Sequence, residues 1–196
     1  MVLYYLSGLL AVAVVFGFLG ILHYSPLAII FSALVLIFVS WAVNELFSRV
    51  FEAQTNVESV YITALILALI IDPIMPTDTA QISFLIWAAV LATASKYILA
   101  LNKKHMFNPA AFAVALTAFA IGQSASWWAG GNLPMMAFVI AGGVLVARKM
   151  RRSDLIAAFF VVALTTFSFT RDFRKSVSTF VVSLLHAPSC FFAFIM

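Results

Sequence analysis

A short polar stretch near the middle of the chain combines basic residues with the start of a helix. Lys103, Lys104 and His105 precede Asn108-Pro109, in a sequence that is apolar almost everywhere else. Asparagine favours the N-cap and proline the first position of a helix, so a helix begins here. The free N–H groups and the positive dipole end of a helix start attract an anion, a carbonyl or a phosphate. The simpler interpretation, a helix start after a loop and nothing more, stays open from these residues alone.

Two acidic residues bracket a short apolar run. Glu58 lies just before residues 60–71, and Asp72 follows them directly, with Pro73 ending the run. Ionisable residues within membrane segments are costly and mark ion pathways or proton relays. Asp72 lies at the C-terminal end of the run, where the helix dipole disfavours a negative charge unless a cation is near. A carboxylate that complements a helix start at Glu58, and an acidic loop at Asp72 and Asp78, are the simpler alternatives.

One lysine lies inside an apolar run. Lys96 belongs to residues 82–101, which have the length of a full membrane span. A lysine inside a span either pairs with another group or extends its stem so that the ammonium group reaches the interface. Lys103 and Lys104 mark that interface here, so both interpretations stay open.

The composition indicates a membrane protein. Of 196 residues, 65% are hydrophobic and 9% are charged, and the mean hydropathy is +1.13. Runs of about 20 apolar residues match the hydrocarbon thickness of a bilayer. Twenty Phe without polar–apolar alternation disfavour an outer-membrane barrel. We therefore expect an all-α, polytopic transmembrane helix bundle, and we attribute the pI near 9.5 to basic loops rather than to nucleic-acid binding.

Residue types that ligate metals and haem are sparse. Cys190 is the one cysteine, so this chain alone forms no disulfide, no Cys-x-x-Cys zinc site and no iron–sulfur cluster. His23, His105 and His186 lie on separate segments without the paired spacing of haem ligands. There is no Gly-x-Ser-x-Gly motif for nucleophilic hydrolysis. We predict neither a metal site nor catalytic residues.

Several apolar segments are too short to cross a bilayer alone. Three are bounded by Gly, Pro or charged residues: 60–71, 110–121 and 135–147. Short, discontinuous helices among full spans are typical of inverted repeats, and their ends line ligand or ion sites. The final run, 190–196, is also too short to span. We expect one transmembrane domain over residues 1–196 with an incomplete inverted repeat, either the N-terminal part of a longer fold or a truncated copy.

The distribution of basic residues favours one orientation. If the N-terminus is cytoplasmic, the cytoplasmic loops hold Arg49, then Lys103 and Lys104, then the basic run 148–152, and the opposite loops hold no lysine or arginine before residue 171. Basic loops stay on the cytoplasmic side of a membrane. We therefore predict an integral protein of a bacterial inner membrane with a cytoplasmic N-terminus.

Three segments together resemble one protein family. They are VESVYITALILALIIDP at 57–73, KHMFNPAAF at 104–112, and SWW followed by RKMRRSDL at 148–155. In this order they are similar to the membrane subunit shared by two respiratory complexes. These are the Rnf electron-transport complex, with its D subunit, and the sodium-pumping NADH:quinone oxidoreductase, with its B subunit. The resemblance covers residues 44–196.

The resemblance implies a function in electron transport. It implies two inverted repeats, an FMN cofactor, and electron transfer coupled to sodium or proton movement. The partners implied are the lipid bilayer, other membrane subunits, quinone, and a flavin reductase domain or subunit. Glu58 matches an acidic position associated with quinone or cation, and we place Asp72 and Lys96 with it as ion or quinone residues. The chain lacks a Gly-rich nicotinamide loop, so it is at most a non-autonomous subunit of an ion-translocating oxidoreductase.

The chain departs from the family at the flavin-attachment motif. The family joins FMN through its phosphate to a threonine in Ser-Gly-Ala-Thr, whereas residues 123–128 read QSASWW, without a threonine. Ser124 and Ser126 are the hydroxyl groups that remain for a phosphoester. The expected cofactor is therefore FMN or another flavin, held without a covalent bond.

Four residues form the candidate non-covalent flavin site. Trp127 and Trp128 would stack on the isoalloxazine ring, and the helix start at Asn108-Pro109 would offer N–H groups to the phosphate. The alternative, that the tryptophans anchor the chain at the membrane interface, stays open.

Two other functions stay open. A secondary transporter or channel without a redox cofactor would also use broken helices and charges at membrane depth, and the presence of flavin discriminates against it. An inactive fragment or an assembly subunit is the other alternative, which a reading frame continuing beyond Met196 into a second half would exclude.

Overall fold

The computed structural model describes residues 1–52, 56–101, 104–105, 108–123, 125–150, 158 and 161–162. The helices in chain order are α1 Val2–Phe18, α2 Pro26–Val50, α3 Val57–Ile70, α4 Thr79–Ile98, α5 Pro109–Ile121, α6 Trp128–Gly131 and α7 Leu133–Met150. A hairpin of β1 Ala100–Leu101 and β2 Lys104–His105 joins α4 to α5. The all-α prediction is confirmed. Two described helices, α2 and α4, are long and apolar enough to cross a membrane.

The chain divides into two compact units, Met1–Ala129 and Gly130–Met196. All the candidate site residues belong to the first unit. The second unit contains α7, whose last turn carries the exposed Arg148 and Lys149. Cations suit that position because the C-terminal end of a helix is its negative pole.

Polar residues before three helices fix where those helices begin. The residues are Ser25 before α2, Asn56 before α3 and Asp78 before α4. Each side chain accepts a hydrogen bond from the backbone N–H three residues later, at 3.2–3.4 Å. These bonds satisfy donors that a helix start leaves unpaired. Asp78, which the sequence assigns to an acidic loop, is therefore the N-cap of α4.

α3 is the central helix of the first unit. Residues 63–71 are all buried, on every side of the helix, and α1, α2, α4 and α5 all contact it. A helix that is apolar all round is one that is buried all round. Its 14 residues rise about 21 Å, less than the hydrocarbon thickness of about 30 Å.

Two contacts fix the directions of the helices around α3. Tyr97 near the end of α4 donates its phenol hydrogen to Asn44 Oδ1 near the end of α2, at 2.6 Å, so α2 and α4 run in the same direction. Lys96 contacts Ser59 in the first turn of α3, so α3 runs in the opposite direction. The hairpin reverses the chain again, so α5 runs parallel to α3.

The first unit therefore has two chemically different ends. We call the end that holds Asp72 and Asp78 the acidic end, and the end that holds Arg49 and Lys96 the basic end. Among the described residues of this unit, lysines and arginines belong only to the basic end.

The chain after α3 is held to α2 by one serine. Ser32 Oγ accepts a hydrogen bond from the Ile74 N–H at 2.8 Å and donates one to the Ile74 carbonyl at 3.4 Å. Both residues are buried. A buried backbone N–H without a partner is strongly unfavourable, so Ser32 makes the irregular segment between α3 and α4 compatible with the interior.

Replacing Ser32 tests this role. We expect S32A to lower the free energy of unfolding by about 1–3 kcal/mol, because the Ile74 N–H loses its partner. The measurement is unfolding in detergent, followed by helical circular dichroism. S7A is the matched control, since Ser7 is exposed and bonds within its own helix. Equal stability of S32A and S7A would contradict the role given to Ser32.

Candidate functional site

The candidate site is built around the carboxylate of Asp72. Asp72 follows the last turn of α3 and is half-buried. Tyr24 donates its phenol hydrogen to Asp72 Oδ1 at 2.9 Å, and Ser126 Oγ lies 2.8 Å from Oδ1 and 3.0 Å from Oδ2. These donors come from the α1–α2 loop and from the segment after α5. Asp72 therefore joins three parts of the chain that are far apart in sequence.

Both donors to Asp72 are neutral hydroxyl groups. They satisfy part of the hydrogen-bonding capacity of the carboxylate, which offers about four lone-pair sites. They do not cancel its charge. The sequence required a nearby cation to make Asp72 favourable at a helix C-terminus, and among the described residues no lysine or arginine pairs with it. The hydroxyl donors bond the carboxylate oxygens and leave its charge without a cation partner among the described residues.

Trp128 closes the same end of α3. Its indole N–H donates to the Ala68 carbonyl at 3.0 Å, and its ring meets that of Tyr24 edge-on, with centroids 5.2 Å apart. The Ala68 carbonyl is one of the last four of the helix, which lack helical partners. Trp128 thus satisfies a helix end, and together with Trp127 it is buried rather than exposed as an interfacial anchor would be.

A cavity of about 300 Å³ lies beside Asp72. Its lining residues are Ile71, Asp72, Ile74, Gln81, Phe84 and Gln123. Gly122, which ends α5 in the left-handed conformation with φ +70°, turns the chain so that Gln123 reaches this cavity. The cavity therefore combines one carboxylate and two amides with apolar and aromatic walls.

Lys96 lies at the opposite end of α3 from Asp72. It is only 8% exposed, and its Nζ donates to the Ser59 carbonyl at 2.7 Å and to Ser59 Oγ at 3.2 Å. Among the described residues, no carboxylate lies within ion-pair distance of it. The negative end of the α4 dipole stabilises its ammonium group, whereas the positive end of the α3 dipole destabilises it. Lys96 is thus a buried cation held by neutral oxygens.

Glu58 is the sequence neighbour of Ser59, which Lys96 contacts, but among the described residues it forms no ion pair with the lysine. It occupies the first turn of α3 and is exposed, where a negative charge complements the helix dipole. The three residues predicted to handle an ion or quinone are therefore divided. Glu58 and Lys96 lie at the basic end, and Asp72 lies at the acidic end.

The helix start predicted at Asn108-Pro109 is confirmed. Asn108 is the N-cap of α5, Pro109 is its first residue, and Asn108 Oδ1 accepts from Ala110 N at 3.0 Å and from Ala111 N at 3.4 Å. These are two of the donors that an anion would need. The asparagine side chain already occupies them, which favours the plain helix start over the phosphate site.

The described residues do not form the predicted flavin site. The 13 residues of α5 separate Asn108 from the Ser126–Trp128 segment by about 20 Å along the helix. The hydroxyl of Ser126 donates to Asp72, and a phosphate ester there would face a carboxylate of the same sign. Ser124 lies outside the described residues. A flavin bound by this chain stays a prediction, and these residues do not fit it.

Three residues at the Asp72 site were not identified from the sequence: Tyr24, Gln81 and Gln123. Tyr24 lies in the α1–α2 loop and supplies a donor to Asp72. No local signal marks these residues, because their contacts depend on how α1, α4 and α5 pack.

Comparisons of this chain with protein-family models, with curated proteins and with solved structures find no match.

The Tyr24–Asp72 hydrogen bond has a consequence at high pH. Burial first, and then the bond to the negative carboxylate, raise the pKa of Tyr24 to about 12 from the ordinary 10.0. Because the folded pKa lies above the unfolded value, the contribution of Tyr24 to stability is complete below pH 10. It is lost as the pH rises toward 12.

The phenolate absorbance tests this expectation. The difference between the titrations of the wild type and Y24F should show one tyrosine ionising near pH 12. In D72N that component should move to lower pH, because the negative neighbour is gone while burial remains. A Tyr24 component at the ordinary pH, unchanged by D72N, would contradict the contact.

Lys96 gives a second prediction, on stability. We expect K96M to keep or raise the free energy of unfolding, by up to about 3 kcal/mol, because it removes an uncompensated buried charge and keeps the apolar stem. The Ser59 carbonyl keeps a hydrogen bond from Thr63 Oγ1 at 2.9 Å. K96A, which also removes the stem, should be less stable than K96M. Equal destabilisation of K96M and K96A in detergent unfolding would show that the ammonium bonds are a net stabilising contact.

Proposed function

We propose that this chain is the membrane-embedded subunit of an electron-transport complex similar to the Rnf and sodium-pumping NADH:quinone oxidoreductase complexes. In this proposal it lies in a bacterial inner membrane with its N-terminus in the cytoplasm. The complex couples electron transfer through flavin to the movement of sodium or protons. The chain is a non-autonomous subunit of that oxidoreductase.

The observation that carries the proposal is the contact between two segments on which the resemblance depends. Ser126 bonds to Asp72 and Trp128 bonds to Ala68, so the SWW segment closes directly on the end of the 57–73 segment. These contacts join residues more than fifty positions apart. Segments that share a family pattern are expected to meet where the family function resides, and here they meet beside a cavity with a free carboxylate charge.

The distribution of lysine and arginine supports the orientation. Arg49 and Lys96 belong to the basic end, whereas Asp72 and Asp78 belong to the acidic end. Positive residues favour the cytoplasmic side, which puts the basic end inside and the Asp72 cavity outside. Glu58 and Lys96 would then face quinone or a cation from the cytoplasmic side, and Asp72 would face a cation at the other.

The position of the flavin follows from the poor fit of the predicted site. A flavin supplies electron transfer when bound. The helix-start N–H groups are engaged by Asn108, and the donors of Ser126 and Trp128 are also engaged within the protein. The proposal therefore assigns the flavin to other residues or to a partner. One proposed partner that could hold the flavin is a flavin reductase domain or subunit. The described residues of this chain contribute buried charge and a shaped cavity.

A secondary transporter without a redox cofactor is the second candidate function. The observation that favours it is the cavity beside Asp72, which needs no cofactor to hold a ligand. Intramembrane charges such as Lys96 suit a transporter equally well.

The presence of flavin tests the proposal. The full chain is purified in mild detergent together with whatever subunits copurify, and flavin is measured by absorbance before denaturation and by fluorescence on a denaturing gel. We expect flavin that is released on denaturation, because no threonine anchor is present. S126A is the matched variant and should retain this flavin.

The other outcomes are equally informative. Fluorescence that stays with the denatured band, and that S126A or S124A removes, would identify a covalent serine anchor. A well-folded preparation without flavin would overturn the redox role of this chain alone. Transport, an assembly role or an inactive fragment would then be the functions to pursue.

A further inference from the structure

The carboxylate charge of Asp72 at the acidic end has no cation partner among the described residues. Asp72 lies at the C-terminal end of α3, where the helix dipole is also negative. Its two hydrogen-bond donors, Tyr24 and Ser126, are neutral. Asp78, the second carboxylate at this end, caps α4. The described lysines and arginines of this unit lie at the far end, about 20 Å away along α3.

The cavity beside Asp72 is shaped for a ligand larger than a single ion. Its volume is about 300 Å³, which corresponds to roughly ten water molecules in the liquid. Ions such as Ca²⁺ are held by several oxygen ligands at about 2.3–2.6 Å. Here one carboxylate is present, two hydroxyl groups already bind it, and among the described residues no group of three His, Cys, Asp or Glu side chains could hold a metal ion.

The walls of the cavity indicate the chemistry of its ligand. Phe84, Ile71 and Ile74 are apolar, and an aromatic ring next to a carboxylate attracts a cation that carries carbon substituents. Gln81 and Gln123 each offer a donor and an acceptor, and among the described residues their side-chain amides have no hydrogen-bond partner. Gln81 is exposed, so the cavity is open to ligand from the surface.

The geometry points to a binding site for a small organic ammonium ion, with Asp72 as the counter-charge. Phe84 packs against the substituents of the ammonium group, and the amides of Gln81 and Gln123 orient the rest of the ligand. This inference goes beyond the electron-transport proposal, because it needs neither a flavin nor a partner subunit.

Thermal unfolding of the purified full chain tests the site. A ligand that binds the native state raises the unfolding temperature in a saturable way. Ethylammonium and tetramethylammonium chlorides are the probes, and sodium chloride at the same concentrations is the control. We expect saturable stabilisation by at least one ammonium ion beyond that of sodium. Equal stabilisation by sodium would overturn the inference.

Two variants with the same loss of charge separate specific binding from a general field effect. D72N should abolish the stabilisation by the ammonium probe. D78N should preserve it, because Asp78 is not in the cavity lining and asparagine is also a good N-cap. Retained binding in D72N, or equal loss in D78N, would overturn the assignment.

A third variant keeps the test decisive if D72N does not fold. F84L keeps an apolar side chain in the wall and removes the ring, and it should weaken the ammonium affinity by roughly tenfold. Unchanged affinity in both F84L and Q81L would overturn the site. The readout is independent of flavin, so a preparation without flavin that binds the ammonium probe overturns the redox role of this chain alone and leaves this inference standing.

Discussion

The central helix of the first unit ends inside the protein, and much of the surrounding structure follows from that constraint. Buried backbone groups need hydrogen-bond partners within the protein, because an unpaired buried group is strongly unfavourable. After α3 ends, Ser32 pairs with both backbone groups of Ile74, and Trp128 pairs with the Ala68 carbonyl. Asp72, which follows the last turn, is bonded in the same region. The acidic end is therefore a set of side chains that make an interrupted helix acceptable inside the protein.

Two charges of this unit, the buried Lys96 and the half-buried Asp72, are stabilised in the same manner. Lys96 donates to the oxygens of Ser59, and Asp72 accepts from two hydroxyl groups. Hydrogen bonds of this kind satisfy the polar atoms but leave the net charge in place. Surface charge needs no such arrangement, as the exposed Arg49–Glu45 pair at 2.7 Å shows. At both ends a charge is hydrogen-bonded but not neutralised. Such an arrangement lowers the stability of the fold.

The sequence predicted the elements better than it predicted their contacts. Capping residues and proline act within a few positions, so the start of α5 at Asn108-Pro109 followed directly from the residues. α2 continues to Val50 through a charged last turn that the Arg49–Glu45 pair, one turn apart, stabilises. The Tyr24–Asp72 contact joins residues 48 positions apart. No periodicity reports such a contact, because it depends on the packing of whole helices.

The flavin hypothesis shows how a correct element can support a poor site. The residues proposed for the ring and for the phosphate lie at opposite ends of α5. A helix of 13 residues separates its ends by about 20 Å. Helix length alone therefore argues against one ligand between them. The Asp72 site does not depend on this distance, because it is inferred from charge rather than from a motif. A carboxylate at the negative end of a helix, bonded only to neutral hydroxyls, favours a cation in the adjoining cavity whether the chain serves electron transport or transport alone.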